Sequence, residues 1–382
     1  MAGRPHHLAA ATTVLLLPAI LAAATGGGNT AKECARTTPA VRRTITVSGQ
    51  SAGASIAIQH LVAFSESVAG AAIAAGSPYG CGVQPLHGWT CYYGGLDVDA
   101  SVRYLRRRFE QRMIDDPVNL KTSRVFLFSG KLDFVVLPNV MRALERQLLH
   151  FIPKENIASS YGTWASHVWS VDHGDKCPCG TCAWQQASSV LTSSDLCCNI
   201  NNCAFDLSGA MLRHLYGPDA AIKPRVPVRH SLRWIDTWPY WPAEAGPTNQ
   251  STMLRWAPAY VPAACVGLAQ VDKCRVHVNY HGCTSKPLNS TDAGWYERLI
   301  WVQSIDLNQY AEANDIIVIY PQAAGSVDIG EGCFNWASYE DDPLFDTRLG
   351  VQLNTVVNLL DDLPNALNSS YLFDGAGPRD LQ

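Results

Sequence analysis

The pattern of apolar and polar positions along the chain predicts strands alternating with helices. A β-branched run, Thr44-Ile45-Thr46-Val47, predicts a strand that enters Gly49-Gln50-Ser51-Ala52-Gly53. An alanine-rich stretch with helical apolar spacing follows through Phe64, so the local reading is strand, tight turn, helix. Val125-Phe126-Leu127-Phe128 predicts a second strand; Asp133 falls on the loop after it, and a helix is expected from near Pro138 to Leu149. Val276-His277-Val278-Asn279-Tyr280 predicts a strand running into His281-Gly282-Cys283. A helix near Tyr296 to Ala313, a strand Ile316 to Tyr320 and a last helix from about Val351 to Leu360 complete the series. Such alternation indicates an α/β fold, a mostly parallel sheet covered by helices on both faces.

Composition narrows this reading. With 382 residues, 47% hydrophobic and 16% charged, the chain can bury a large core. The net charge of -4 carries no clustered basic footprint, so nucleic acid is not expected as a partner. Residues 1–25 have the layout of a secretory signal peptide: Arg4, His6 and His7, an apolar run from Leu8, then Ala22, Ala23 and Ala24. Secretion to the extracellular space is therefore expected, with no membrane span after cleavage. Residues 26–382 read as a single catalytic domain. The stretch from about Cys177 to Ala264 reads as an irregular, cysteine-rich insertion, which includes the Trp/Pro segment from Trp234 to Pro242.

Thirteen cysteines in a chain with a leader predict disulfides, and the odd count leaves at least one thiol unpaired within the chain. Cys265 and Cys274 are the expected pair from proximity alone. The cluster Cys177, Cys179, Cys182, Cys197, Cys198 and Cys203 could bind zinc through thiolates; disulfides are the better reading in a secreted chain, and no metal is expected. Sequons at Asn249, Asn289 and Asn368 fit a glycoprotein.

The chemistry begins at Ser51. Gly-x-Ser-x-Gly between a strand and a helix is the nucleophile elbow, although a glycine-rich turn without chemistry could carry the same five residues. A serine hydroxyl needs a histidine base and a carboxylate to orient it, and both follow the serine in this fold. Asp133 and His167 are the expected partners, with Asp172 and His173 as competitors. The backbone amide of Ala52 supplies one oxyanion donor, and the His281-Gly282-Cys283 turn offers the amide of Cys283 as the second. In ordinary members of the fold that second loop precedes the nucleophile. Here it follows, which a circular permutation resolves: the helix near 351–360 would then stand just before the strand at 43–48. No cofactor is needed for serine acyl transfer.

These motifs resemble the polyhydroxybutyrate (PHB) depolymerase family in its permuted, single-domain fungal type. The resemblance is carried by Val47 to Gly53, Gly76-Ser77-Pro78-Tyr79-Gly80-Cys81, the Asp133 and His167 loops and Cys203-Ala204-Phe205-Asp206. It continues in Tyr260 to Cys265, Cys274 to Val278, His281-Gly282-Cys283, Tyr320-Pro321-Gln322-Ala323 and Gly332-Cys333-Phe334-Asn335-Trp336. It spans roughly residues 44–360. The resemblance implies a circularly permuted α/β-hydrolase acting on poly-3-hydroxybutyrate or related polyesters. Its triad would be Ser51, Asp133 and His167, its oxyanion amides Ala52 and Cys283, and its substrate-contacting residue Trp336. Gln50 and Ala52 depart from the leucine and serine frequent in the family, which bears on the substrate more than on the chemistry. Two other readings share these features: a small-ester hydrolase of the feruloyl or acetyl-xylan esterase type, and a secreted binding protein that has lost turnover.

Overall fold

The structure is a computed structural model and describes residues 45–83, 88–174, 199–229, 232–242, 253–283, 293–326, 330–337 and 342–372. All of them lie in one compact unit, Arg42–Gln382. The leader, the cysteines from 177 to 198 and the sequons at Asn249 and Asn289 lie outside the described residues; Asn368 is exposed. Among the described residues no helix is long and apolar enough to cross a membrane.

The strands are β1 (Ile45–Gln50), β2 (Val68–Ala74), β3 (Arg124–Phe128), β4 (Ile157–Ser160), β5 (Trp169–Val171), β6 (Ile200–Asn202), β7 (Arg233–Asp236), β8 (Trp256–Tyr260), β9 (Arg275–Tyr280), β10 (Ile316–Ile319), β11 (Gly325–Ser326), β12 (Gly330–Glu331) and β13 (Tyr371–Leu372). The helices are α1 (Ala52–Ala63), α2 (Trp89–Tyr93), α3 (Val98–Glu110), α4 (Pro138–Leu148), α5 (Leu207–Tyr216), α6 (Leu268–Val271), α7 (Ala293–Ser304), α8 (Leu307–Asn314), α9 (Val351–Asp361) and α10 (Leu363–Asn368). The main sheet runs β13-β7-β8-β10-β9-β1-β2-β3-β4, and every pair from β10 to β4 is parallel. With the two-residue edge strand β13 set aside, and read from β7 through the C-terminal residues and on to β1, the order of the other eight strands becomes first, second, fourth, third, fifth, sixth, seventh, eighth. Ser51 then follows the fifth of these strands and the His281 loop the third, the position from which hydrolases of this fold take their second oxyanion amide. The fold is a circularly permuted α/β-hydrolase.

Period-two alternation sorts the strands onto two cores. Val47, Ile73, Leu127 and Val278 face one cluster with Ile56, Leu61 and Leu144 of the helices. Ala72, Ala74, Phe126, Phe128 and Val318 face the other, with Leu212 and Trp301. Each large apolar side chain so buried contributes about 1.5–3 kcal/mol.

Two expectations are corrected. The stretch read as an irregular insertion supplies α5, which packs on β3, and strands β7 and β8 of the main sheet. Pro258 hides β8, because proline has no N–H for a ladder; its carbonyl still accepts from Tyr320 N at 2.9 Å. The single helix expected over 296–313 is two, α7 and α8, broken where Asp306 takes φ 63°.

One polar network crosses the centre of the sheet. His277 on β9 lies opposite Thr46 on β1, with Nδ1 at 2.8 Å from Thr46 Oγ1 and Nε2 at 2.7 Å from Ser48 Oγ. Asn279 Nδ2 donates to Ser48 Oγ, and Trp301 Nε1 donates to Asn279 Oδ1. Burial pushes the His277 pKa down from 6.5 to about 3, and does the same to His60. The unfolded chain therefore binds more protons than the native one between pH 6.5 and about 3, so stability is lost as pH falls through that window. Urea unfolding is expected to show a midpoint that drops on acidification from neutrality. In His277→Gln the dependence should be shallower by up to about 1.4 kcal/mol per pH unit.

Candidate active site

Ser51 sits between the end of β1 and the start of α1 with φ 58° and ψ −123°, a conformation that side-chain-bearing residues rarely hold. Its backbone N–H donates to Ala74 O of β2 at 3.0 Å, which pins the elbow to the sheet. The flanking glycines are required by contact. A Cβ on Gly49 would stand 2.1 Å from Gly53 O, and one on Gly53 would stand 2.2 Å from His281 O and 2.3 Å from Tyr280 O. Gly53 thus lets α1 lie directly on the end of β9. Gly53→Ala is expected to cost about 1–3 kcal/mol, because the obstacle is backbone that cannot rotate away; a urea midpoint equal to that of the parent chain would contradict this.

The acid and histidine loops are joined by their backbones. Lys131 N donates to Thr163 O and Leu132 N to Ala165 O, each at 2.9 Å. This brings Asp133 Oδ2 to 2.9 Å from His167 Nδ1, with the aspartate buried and the histidine nearly so. Asp133 Oδ1 accepts the N–H groups of Val135 and Val136 at 3.0 and 2.9 Å. An ionised carboxylate only accepts, so the His167 proton lies on Nδ1 and the Nε2 lone pair is left to act as a base. Gln50, the residue before Ser51, donates from Nε2 to His167 O at 3.0 Å and ties the histidine loop to the elbow. Its role was not visible in the sequence.

The competing residues are engaged elsewhere. His173 Nε2 lies 2.8 Å from Asp306 Oδ2, and Asp172 pairs with Arg225 at 2.7 Å. Asp172, His173 and Asp306 are close enough to share a metal ion, but Arg225 also reaches Asp306 at 3.4 Å, so a cation already lies among them.

On the other side of Ser51 stands the His281 loop. A Cβ on Gly282 would be 3.4 Å from Ser51 Cβ, so the loop lies against Ser51. His281 Nε2 accepts the N–H of Ala323 at 3.2 Å, which places the ring proton on Nδ1, from where it donates to Gly282 O at 2.6 Å. With that carbonyl held, the planar trans peptide turns the N–H of Cys283 to the opposite side. Cys283 is bonded to Cys333, three residues before Trp336.

Ser51, Ala52, Cys283 and Trp336 line one pocket, so four residues singled out in the sequence meet there. Cys91, Tyr92 and Val136 complete its apolar wall. The Cys81–Cys91 and Cys265–Cys274 disulfides are present, and Cys203 is disulfide-bonded as well. Tyr92 meets Trp336 edge to face at 5.1 Å. These two rings also border an adjoining groove with Trp89 and Tyr93, which are 69% and 50% exposed. The sequence signal for that groove was the aromatic run Trp89-Thr90-Cys91-Tyr92-Tyr93.

No family model matches the chain. The poly(3-hydroxybutyrate) depolymerase of Delftia acidovorans is 29% identical over 323 residues, covering 83% of this chain and 58% of the relative. The chain thus spans less than two thirds of that relative's length. The polyhydroxybutyrate depolymerase of Talaromyces funiculosus is 26% identical over 325 residues, 82% of this chain and 87% of the relative. A solved PHB depolymerase variant, complexed with an R3HB trimer, matches with a TM-score of 0.69 at 25% identity. That match covers 86% of this chain and 98% of the other.

Proposed function

We propose that this chain, which is related in sequence and fold to the polyhydroxybutyrate depolymerases, is a serine hydrolase of poly-3-hydroxybutyrate or a related short-hydroxyacid polyester. The observation that carries the reading is the meeting of Ser51, Ala52, Cys283 and Trp336 in one pocket that shares Tyr92 and Trp336 with an aromatic groove. His167, oriented by Asp133, takes the Ser51 proton as Oγ attacks the ester carbonyl. The amides of Ala52 and Cys283 receive the developing oxyanion, with His281 holding the peptide that carries the second. His167 then returns its proton to the leaving alcohol, and water releases the acyl group by the same steps in reverse. Trp336 and the groove beyond it hold the flanking units of a chain. Phe134 and Trp164, on the acid and histidine loops, are exposed and give the rim an apolar character suited to an insoluble polymer. Secretion fits the leader-like residues 1–25 and the disulfides.

The test is a substrate panel. kcat/KM for a 3-hydroxybutyrate trimer ester is expected to exceed that for a feruloyl or acetyl ester by at least tenfold. A preference for the feruloyl or acetyl ester would replace this reading with the small-ester one.

A further inference from the structure

The same pocket holds a polar pair that the chemistry above does not use. Ser55 stands one helical turn after the nucleophile on α1, and Ser77 lies on the loop that leaves β2. Both are buried, at 6% and 5% exposure, and both line the pocket with Ser51, Ala52, Cys283 and Trp336. Their Oγ atoms are 3.1 Å apart. Serines in helices commonly bond back to the carbonyl four residues earlier. Here the Ser55 hydroxyl turns toward Ser77 rather than back to Ser51 O, which accepts the ordinary helical N–H of Ser55.

Each hydroxyl brings one donor hydrogen and two acceptor lone pairs. The bond between them consumes one hydrogen. The second has no other protein partner among the described residues, and a buried donor left unmet is costly. Its available partner is therefore whatever fills the pocket.

The reacting geometry says what that is. Ser55 and Ser77 share the lining of the Ser51 pocket with Ala52 and Cys283, so this reading places the acyl side of the ester there, with its carbonyl oxygen at the two amides. The first polar atom it presents in a 3-hydroxyacyl unit is the oxygen on its third carbon. A plain butyryl chain fills nearly the same space and offers no acceptor. We propose that the Ser55–Ser77 hydroxyl pair binds the oxygen on the third carbon of the acyl unit and so sets a preference for 3-hydroxyacyl esters over plain acyl esters. The proposal rests on the serine-esterase reading above.

Either hydroxyl alone could still donate to the substrate once its neighbour is gone, so the decisive variant is the double one. The ratio of kcat/KM for p-nitrophenyl 3-hydroxybutyrate to that for p-nitrophenyl butyrate is measured in the parent enzyme and in Ser55→Ala/Ser77→Ala. The ratio is expected to fall about five- to tenfold in the double variant, the worth of one neutral hydrogen bond, and by less in each single variant. An unchanged ratio in an active double variant would overturn the proposal. If the double variant is inert toward both esters, inhibition of the parent enzyme decides: free 3-hydroxybutyrate should inhibit at about fivefold lower concentration than butyrate, and equal inhibition would overturn the proposal. Absence of Ser51-dependent hydrolysis of either ester in the parent enzyme would overturn the esterase reading itself, a result distinct from an unchanged ratio.

Discussion

Ser51→Ala is expected to lower kcat on a p-nitrophenyl butyrate substrate by on the order of 10⁶-fold, the scale seen when a triad serine is removed. The change deletes one oxygen and leaves the pocket walls, the disulfides and the Asp133–His167 pair in place. Alanine also keeps the option of the elbow's strained backbone, since the Ser51 N–H to Ala74 O bond does not involve the side chain. Loss of turnover with an unchanged unfolding midpoint would therefore locate the effect in the chemistry. A variant retaining more than about one part in 10³ of the parent activity would show that another group attacks the ester.

Asp133→Asn is expected to cost about 10⁴-fold in kcat, for a reason specific to this loop. Asp133 Oδ1 is held by two backbone N–H groups, those of Val135 and Val136. An asparagine must place its carbonyl oxygen there, because its NH₂ group would point hydrogens at hydrogens. The NH₂ group then faces His167 Nδ1, which must accept, and the ring proton moves to Nε2. That tautomer has no lone pair left for the serine proton. KM should change little, because neither residue lines the substrate pocket. A loss of less than tenfold would mean that the Asp133–His167 contact orients nothing that matters to turnover.

Much of this site was legible in the sequence because its parts are local. Gly49 to Gly53 carry the elbow between a β-branched run and an alanine-rich helix, and the structure returns β1 and α1 over those residues. The same holds for Asp133 after β3 and for the His281 turn after β9. What was hidden depends on contacts far apart in the chain. The run Val68–Ala74 forms a central strand, although its alanines and glycine lack the β-branched signature of the neighbouring strands. Position between two other strands, not intrinsic preference, decides it. β7 and β8 were masked by the tryptophans and prolines around them, which read as irregular chain. Spacing favoured His167 over His173 without separating them; the structure pairs His167 with Asp133 and His173 with Asp306, which stands more than a hundred residues away in the sequence. Gln50, a departure from the resembled family at that position, has a use only once the His167 loop is folded back over the elbow. Likewise, the aromatic run from Trp89 to Tyr93 acquires meaning when Cys333 and Cys283 draw Trp336 against Tyr92.

The most direct measurement is release of soluble 3-hydroxybutyrate units from a poly-3-hydroxybutyrate suspension by the purified chain and by Ser51→Ala. Clearing of the suspension with release of soluble units by the parent chain, abolished in the variant, is the expected result. A parent chain that cleaves p-nitrophenyl butyrate and leaves the suspension turbid would contradict the polyester reading, and a suspension cleared equally by both proteins would contradict Ser51 as the nucleophile.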